Sequence, residues 1–179
     1  RVFCRVRPGK EGEGSGAVSV STEADMLVEA NGKASSFQYD RVFAPSSSQE
    51  EVFEETEPLI VSVLDGYNVC LFSYGQTGSG KTHTMSGPDM YNETERGIIP
   101  RMVAQVFAQI GEAPEEIEFT VKVSMIEIYM EKIRDLLGHN RLKTNLVVRK
   151  DKTNGIYIAG VTEEYVTSFD ELLEVMQSG

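Results

Sequence analysis

The sequence predicts a mixed α/β fold, a central sheet flanked by helices, and three observations carry that prediction. Val69-Cys70-Leu71-Phe72 is a continuous apolar run, as in a strand buried on both faces of a parallel sheet, and it passes straight into glycines and a helix start at Lys81-Thr82. Ile117, Phe119, Val121, Val123 and Met125 alternate with polar residues, the period of a half-buried strand. Ile98, Ile99, Met102, Val103, Val106, Phe107 and Ile110 recur at helical spacing and form one apolar stripe.

The remaining elements follow in chain order. Arg1 to Arg7 alternates, with Val2, Cys4 and Val6 on one face, and Pro8 closes it as a strand. Residues 9–16 are glycine-rich and polar. Ala17 to Val20 and Met26 to Glu29 read as two short strands of a small antiparallel lobe, with Asn31-Gly32 as a turn. Phe37, Tyr39 and Val42-Phe43 give one more short extended piece before Pro45. Ser48 and Glu51 have the form of a capping box, and the apolar positions from Val52 to Leu64 predict a helix that Pro58 kinks and Gly66 ends. Ser86 to Gly97 is a polar excursion and reads as a surface loop. After Met125 the pattern turns helical near Ile126 and runs through Ile133, Leu136 and Leu137, which predicts a strand passing into a short helix. Leu146 to Val148 and Ile156 to Ile158 flank Asn154-Gly155, a hairpin signal, and Ser168 with Glu171 caps a last helix carrying Leu172, Leu173 and Met176. There is no internal repeat and no clear interdomain linker.

Composition narrows the function classes. The 179 residues are enough for one domain or slightly more. Lys+Arg number 17 against 28 Asp+Glu, a net charge of −11, which disfavours direct nucleic-acid binding. The apolar runs are far short of the roughly 20 residues that span a bilayer, so no membrane insertion is expected. Cys4 and Cys70 both sit in apolar runs and read as inert core thiols of an intracellular chain. The sequence opens on Arg1 without an initiator Met or a signal-peptide pattern, and is expected to be a piece of something longer.

Gly75-Gln76-Thr77-Gly78-Ser79-Gly80-Lys81-Thr82 fits G-x-x-x-x-G-K-[ST] in the strand-to-helix context that makes this phosphate-binding motif credible. Glycines let the backbone wrap closely round an anion, so N–H groups from about Gly78 to His83 can point at the α and β phosphates. The helix N-terminus adds partial positive charge. Lys81 reaches the β and γ phosphates as a point charge, and the Thr82 hydroxyl is expected to be one ligand of an octahedral Mg²⁺. The motif alone leaves ATP and GTP open, and kinases, GTPases, mechanoenzymes and AAA-type ATPases with them.

The flanking residues narrow that choice. Gly66-Tyr67-Asn68 followed by Phe72 to Gly87 resembles the nucleotide-binding core of the kinesin motor domain. Val2 to Pro8 with its R-x-R-P ending, Gly97-Ile98-Ile99-Pro100-Arg101, and Glu127-Ile128-Tyr129 with Arg134-Asp135-Leu136-Leu137 resemble the same family in the same order. The resemblance covers residues 1–179 and implies the N-terminal portion of a motor domain. It implies a P-loop NTPase-type mixed sheet flanked by helices, and an ATP-dependent, microtubule-stimulated ATPase that drives microtubule-based movement on the cytoplasmic cytoskeleton.

The same resemblance implies site roles. ATP or ADP with Mg²⁺ binds through Gly75, Gln76, Thr77, Gly78, Ser79, Gly80, Lys81, Thr82 and His83. Arg5, Arg7 and Pro8, with His83, form a wall beside the adenine; from the residues alone, Arg5 and Arg7 are outward-facing strand residues and His83 a helix-start residue. Ser86 to Gly97 corresponds to a family loop that modulates nucleotide handling, and Met125 stands where an aromatic is common. Arg101 receives no role, and Glu54, Glu55 and Glu57 read as a solvated helix face.

A hydrolase of this kind also needs an acidic residue on the Mg²⁺ shell and groups that position water. Asp135, Asp151 and Asp170 are the downstream candidates, but none closes a four-residue apolar strand. The family's two switch runs, N-x-x-S-S-R-S-H and D-L-A-G-S-E, do not occur in the sequence. No catalytic residue is therefore assigned, and the 179 residues alone are not expected to turn over ATP or to fold stably. The resemblance places the switches, the microtubule (tubulin) contacts and a dimerising stalk beyond Gly179. Concentrating basic contacts there accounts for the acidic balance here. A switchless ATP-binding interaction module is the alternative from another class. A GTPase or metabolic kinase is disfavoured because no guanine-selective N-K-x-D run is present.

Overall fold

The computed structural model describes residues 1–9, 17–138, 146–152 and 155–179. They form two compact units, Arg1–Met102 and Val103–Gly179.

The first unit begins with β1 (Phe3–Arg5), which pairs in parallel with β5 (Arg41–Phe43), Cys4 opposite Val42. Between them β2 (Val18–Val20), β3 (Asp25–Ala30) and β4 (Lys33–Gln38) make a three-stranded antiparallel ladder, the small lobe that the sequence predicts. The turn from β3 to β4 uses Asn31 and Gly32 at φ 53° and 72°, the left-handed pair that a two-residue hairpin turn requires. The single extended piece expected over Phe37 to Phe43 is two strands, β4 and β5, in different ladders. The glycine-rich stretch falls almost wholly outside the described residues.

α1 (Gln49–Glu54) starts at Ser48, whose hydroxyl accepts from the Glu51 N–H while the Glu51 carboxylate accepts from the Ser48 N–H. Pro58 does more than kink the predicted helix: it lacks an N–H and stands first in a separate helix, α2 (Pro58–Leu64). Buried Thr56 fills the break, its hydroxyl donating to Phe53 O at 2.9 Å. Glu55 also departs from the expected solvated face. Its carboxylate takes Arg41 at 2.6 Å and also Arg1, and these partners hold it below its ordinary range.

The largest correction concerns residues 69–72. They join no ladder among the described residues. Val69, Leu71 and Ser73 are half-buried, while Cys70, Phe72 and Tyr74 are exposed, so the chain has the inward–outward alternation of a strand without a partner. Cys70 is therefore not a core thiol. Burial pushes the Cys4 thiol up, as expected for a core position. Leu71 joins Phe3, Met85 and Met102 against the buried cluster of Phe43, Val52 and Ile98, with the Phe3 and Phe43 rings edge to face at 6.1 Å. α3 (Lys81–Met85) and the start of α4 (Ile98–Gly111) complete this unit.

The second unit carries the rest of α4 and three antiparallel pairs: β6 (Val121–Val123) with β11 (Glu164–Val166), β7 (Ile126–Tyr129) with β8 (Lys132–Asp135), and β9 (Val147–Asp151) with β10 (Gly155–Ala159). The expected hairpin at residues 146–158 is thus present, although Asn154 lies outside the described residues. The expected helix after Ile126 is instead the hairpin β7–β8, turned by Met130 and Glu131 at φ 49° and 62°. α5 (Phe169–Ser178) is capped by the Ser168 hydroxyl, which accepts from the Glu171 N–H, and buries Leu172 and Leu173. The described strands lie in five separate ladders of two or three strands.

Candidate functional site

The glycine-rich motif leads from the half-buried extended segment into α3. Gly80 is the N-cap of α3 at φ 102°, and Gly78 stands at φ 77°, conformations that residues with a Cβ adopt only under strain. A Cβ on Gly75 would lie 2.4 Å from Ser79 Oγ and 3.1 Å from Ser79 Cβ, so the loop is folded tightly on itself. Gly80 supplies no side chain to the first turn of α3, and that turn holds no acidic residue. No side chain caps its N–H groups. Lys81 Nζ curls back over the loop and donates to Gly75 O at 2.8 Å and Gln76 O at 2.9 Å. Its charge is thus held over the loop, while Gln76, Thr77, Thr82 and His83 are exposed.

This arrangement fits a polyphosphate with a divalent cation. Glycines at the strained positions keep side chains out, backbone donors and an ammonium supply positive charge, and the exposed Thr82 hydroxyl is a hard oxygen of the kind Mg²⁺ takes.

Arg5 and Arg7 both reach this loop-and-helix region. Arg7 Nη1 donates to Gly78 O at 3.0 Å. Arg5 is half-buried and its Nη1 donates to Gln49 Oε1 at 2.8 Å and to Thr84 Oγ1 at 3.1 Å, which ties β1 to α1 and α3. Burial lowers the Arg5 guanidinium from its ordinary value. These contacts give Arg5 a bracing role that strand periodicity alone does not reveal. Pro8 is exposed, as is His83, whose carbonyl accepts from Gln49 Nε2 at 2.7 Å.

Two residues of this region carry no signal in the sequence. Gln49, at the first helical position of α1, has the composition of a solvated residue yet is 7% exposed. Arg101, to which sequence reasoning gave no role, donates to Arg96 O at 3.0 Å and Glu93 O at 2.7 Å and so staples the 86–97 excursion to α4. The excursion is pinched at its neck: Gly97 N–H donates to Ser86 O at 3.0 Å, and a Cβ on Gly97 would lie 2.6 Å from Gly87 N. Within it, Asp89 Oδ1 accepts from Tyr91 N at 2.8 Å and Asn92 Oδ1 accepts from Thr94 N at 3.1 Å.

The three candidate aspartates lie in three different elements. Asp135 is 6% exposed; burial alone would raise its carboxyl, but donation from Thr162, Leu137 and Gly138 outweighs burial and holds it below the usual range. Asp151 ends β9 opposite Gly155, and Asp170 lies in the first turn of α5. No group of three or more His, Cys, Asp or Glu side chains suited to a metal ion occurs among the described residues.

Comparison with known proteins agrees with this geometry. The family described as Kinesin motor domain matches residues 5–179. The kinesin heavy chain of Botryotinia fuckeliana is 45% identical over all of this chain, and the kinesin-like protein KIN-14G of Arabidopsis thaliana is 40% identical over all of it. The chain spans 21% and 19% of those two relatives. A solved structure of a fast kinesin, studied for its ATPase mechanism and interactions with microtubules, superimposes with a TM-score of 0.91 at 40% identity; the match covers 98% of this chain and 51% of that one. The phosphate-loop geometry, the family match and the whole-chain likeness converge: this chain belongs to the kinesin motor domain family.

Proposed function

We propose that residues 1–179 are the N-terminal portion of a kinesin head, and that Gly75 to Thr82 hold the phosphates of ATP or ADP in a motor that couples ATP hydrolysis to movement along microtubules. The observation that carries the phosphate assignment is the left-handed glycine N-cap of α3, which opens an acid-free first turn directly before Lys81 and Thr82. Lys81 neutralises phosphate charge by exchanging its present hold on the part-buried Gly75 O and the exposed Gln76 O for phosphate oxygens. Thr82 would supply a hydroxyl ligand to Mg²⁺, which when bound would offset phosphate charge. Arg7, Pro8 and His83 form the adenine wall, and Arg5 braces it through α1.

Hydrolysis requires groups that orient water, and the family's switch runs that carry them are not in this sequence. The 179 residues therefore bind nucleotide without catalysing turnover by themselves. Microtubule docking and dimerisation belong to other parts of the protein, and the site of action is the microtubule cytoskeleton. Among the described residues no helix is long and apolar enough to cross a membrane.

The test is nucleotide titration and ATPase measurement on the intact polypeptide, with and without polymerised microtubules. Stimulated turnover in the wild type, lost in Lys81→Ala, and Mg²⁺-dependent nucleotide binding weakened in Thr82→Asn, are the expected results. Unchanged nucleotide affinity in both variants overturns the cradle, and nucleotide binding without stimulated turnover overturns the motor.

A further inference from the structure

We propose that Gln49 is a positioning residue for the phosphate loop: its buried carboxamide clasps β1, α3 and the neck of the 86–97 loop at one point. The clasp rests on reading Gly75 to Thr82 as the phosphate site. Gln49 Nε2 donates to His83 O at 2.7 Å and to Glu95 O at 3.2 Å, while Gln49 Oε1 accepts from Arg5 Nη1 at 2.8 Å. Both amide protons are committed, and the orientation of the amide is fixed by chemistry. A guanidinium only donates and a carbonyl only accepts, so a flipped amide would face like with like on both sides.

The consequence is geometric. His83 is the third residue of α3, two positions after Lys81 and one after Thr82, so its carbonyl moves with the turn that carries both. Glu95 stands two residues before the neck glycine Gly97, and Arg5 also holds Thr84 of α3. One side chain from α1 therefore sets the placement of the Lys81–Thr82 turn against the first strand and against the loop. Movement of the loop neck reaches the phosphate site through a single amide, without a contact between the loop tip and nucleotide. Gln49 touches no nucleotide in this scheme, and its effect is exerted through α3.

The experiment compares Gln49→Met and Gln49→Glu in the intact polypeptide with Ile60→Val, a conservative change at a fully buried position of α2. A fluorescent ADP analogue reports affinity, thermal melting without nucleotide reports stability, and hydrogen exchange reports the Arg96 and Gly97 amides. Gln49→Glu keeps an acceptor for Arg5 but loses both donors and turns a carboxylate toward two carbonyls. Both Gln49 variants are expected to weaken the analogue by roughly tenfold, the scale of a lost buried donor pair, and to speed exchange at residues 96–97. Gln49→Glu is expected to melt lower as well, but with an affinity loss well beyond that of Ile60→Val per degree of lost melting, a split that a purely structural role does not produce.

Wild-type affinity in Gln49→Glu, or an affinity loss in both variants that merely follows melting as in Ile60→Val, overturns the proposal. Failure of the underlying reading is separable: Lys81→Ala then leaves affinity unchanged, whereas the exchange at residues 96–97 still tests the clasp by itself.

Discussion

Gly97→Ala places a methyl group where three backbone atoms already stand. Gly87 N, Met85 C and Met85 O each lie 2.6 Å from the position of that carbon. None belongs to a side chain that can rotate away, so the two strands of the neck have to part. Parting stretches the Gly97 N–H to Ser86 O bond of 3.0 Å and draws Glu95 O away from Gln49, now at 3.2 Å. Overpacking of a tight site costs about 1–3 kcal/mol, and each weakened hydrogen bond adds about 1 kcal/mol, so a total of about 2–5 kcal/mol is expected. Gly111→Ala makes the same chemical change at the end of α4, where nothing lies within 4 Å of the added carbon. It should be neutral or stabilise by about 0.5 kcal/mol through the unfolded chain. Urea unfolding of the intact polypeptide reads the difference as a shift in midpoint at constant slope. Limited proteolysis reads the same strain as new cleavage between residues 86 and 97. A Gly97→Ala midpoint that coincides with that of Gly111→Ala, without new cleavage, refutes the pinched-neck argument.

Other expectations are equally direct. Asp135→Asn replaces an acceptor of three backbone N–H groups by an amide that turns donors toward some of them, and should cost about 1–3 kcal/mol by chemical denaturation. Because the folded Asp135 carboxyl lies below its unfolded value of about 3.9, its stabilisation is fully present above that pH and is lost as pH falls through the lowered folded value. Wild type should therefore lose stability in this acid range more steeply than Asp135→Asn, and parallel acid-unfolding curves would count against the assignment. Ser48→Ala removes the hydroxyl half of a complete capping box and should cost about 1 kcal/mol, read as a lowered urea midpoint. Glu55→Gln weakens the Arg1 and Arg41 pairs, and its destabilisation, about 1 kcal/mol or less, should shrink as salt is raised.

Features written in local chemistry were legible in the sequence. Both serine caps, the Asn31-Gly32 turn and the glycine-rich motif before Lys81 depend on a few neighbouring residues, and each is where its spacing puts it. The β7–β8 hairpin was hidden because Met130 and Glu131 take left-handed conformations without glycine, asparagine or aspartate. Meanwhile Ile126, Met130, Ile133 and Leu137 happen to repeat at helical spacing. Residues 69–72 alternate in burial where the sequence predicts a strand buried on both faces, and they join no ladder among the described residues; whether a strand finds partners is decided by distant chain, which no local pattern encodes. In the candidate site the loop residues were visible as a motif. Gln49 and Arg101 were not, since a polar residue's burial and its carbonyl partners arise only when segments far apart in sequence meet.

The pinched neck also makes the 86–97 segment a natural port for added chain. Its entry and exit share one spot, closed by Gly97 N–H on Ser86 O, and its tip around Tyr91 points into solvent. Lengthening a loop whose ends are already joined costs only a logarithmic entropy, about 0.6 kcal/mol for each doubling. A reporter peptide grafted between Met90 and Asn92 would leave Arg101 on Glu93 O and Gln49 on Glu95 O undisturbed, while riding on a segment whose base is held by Gln49.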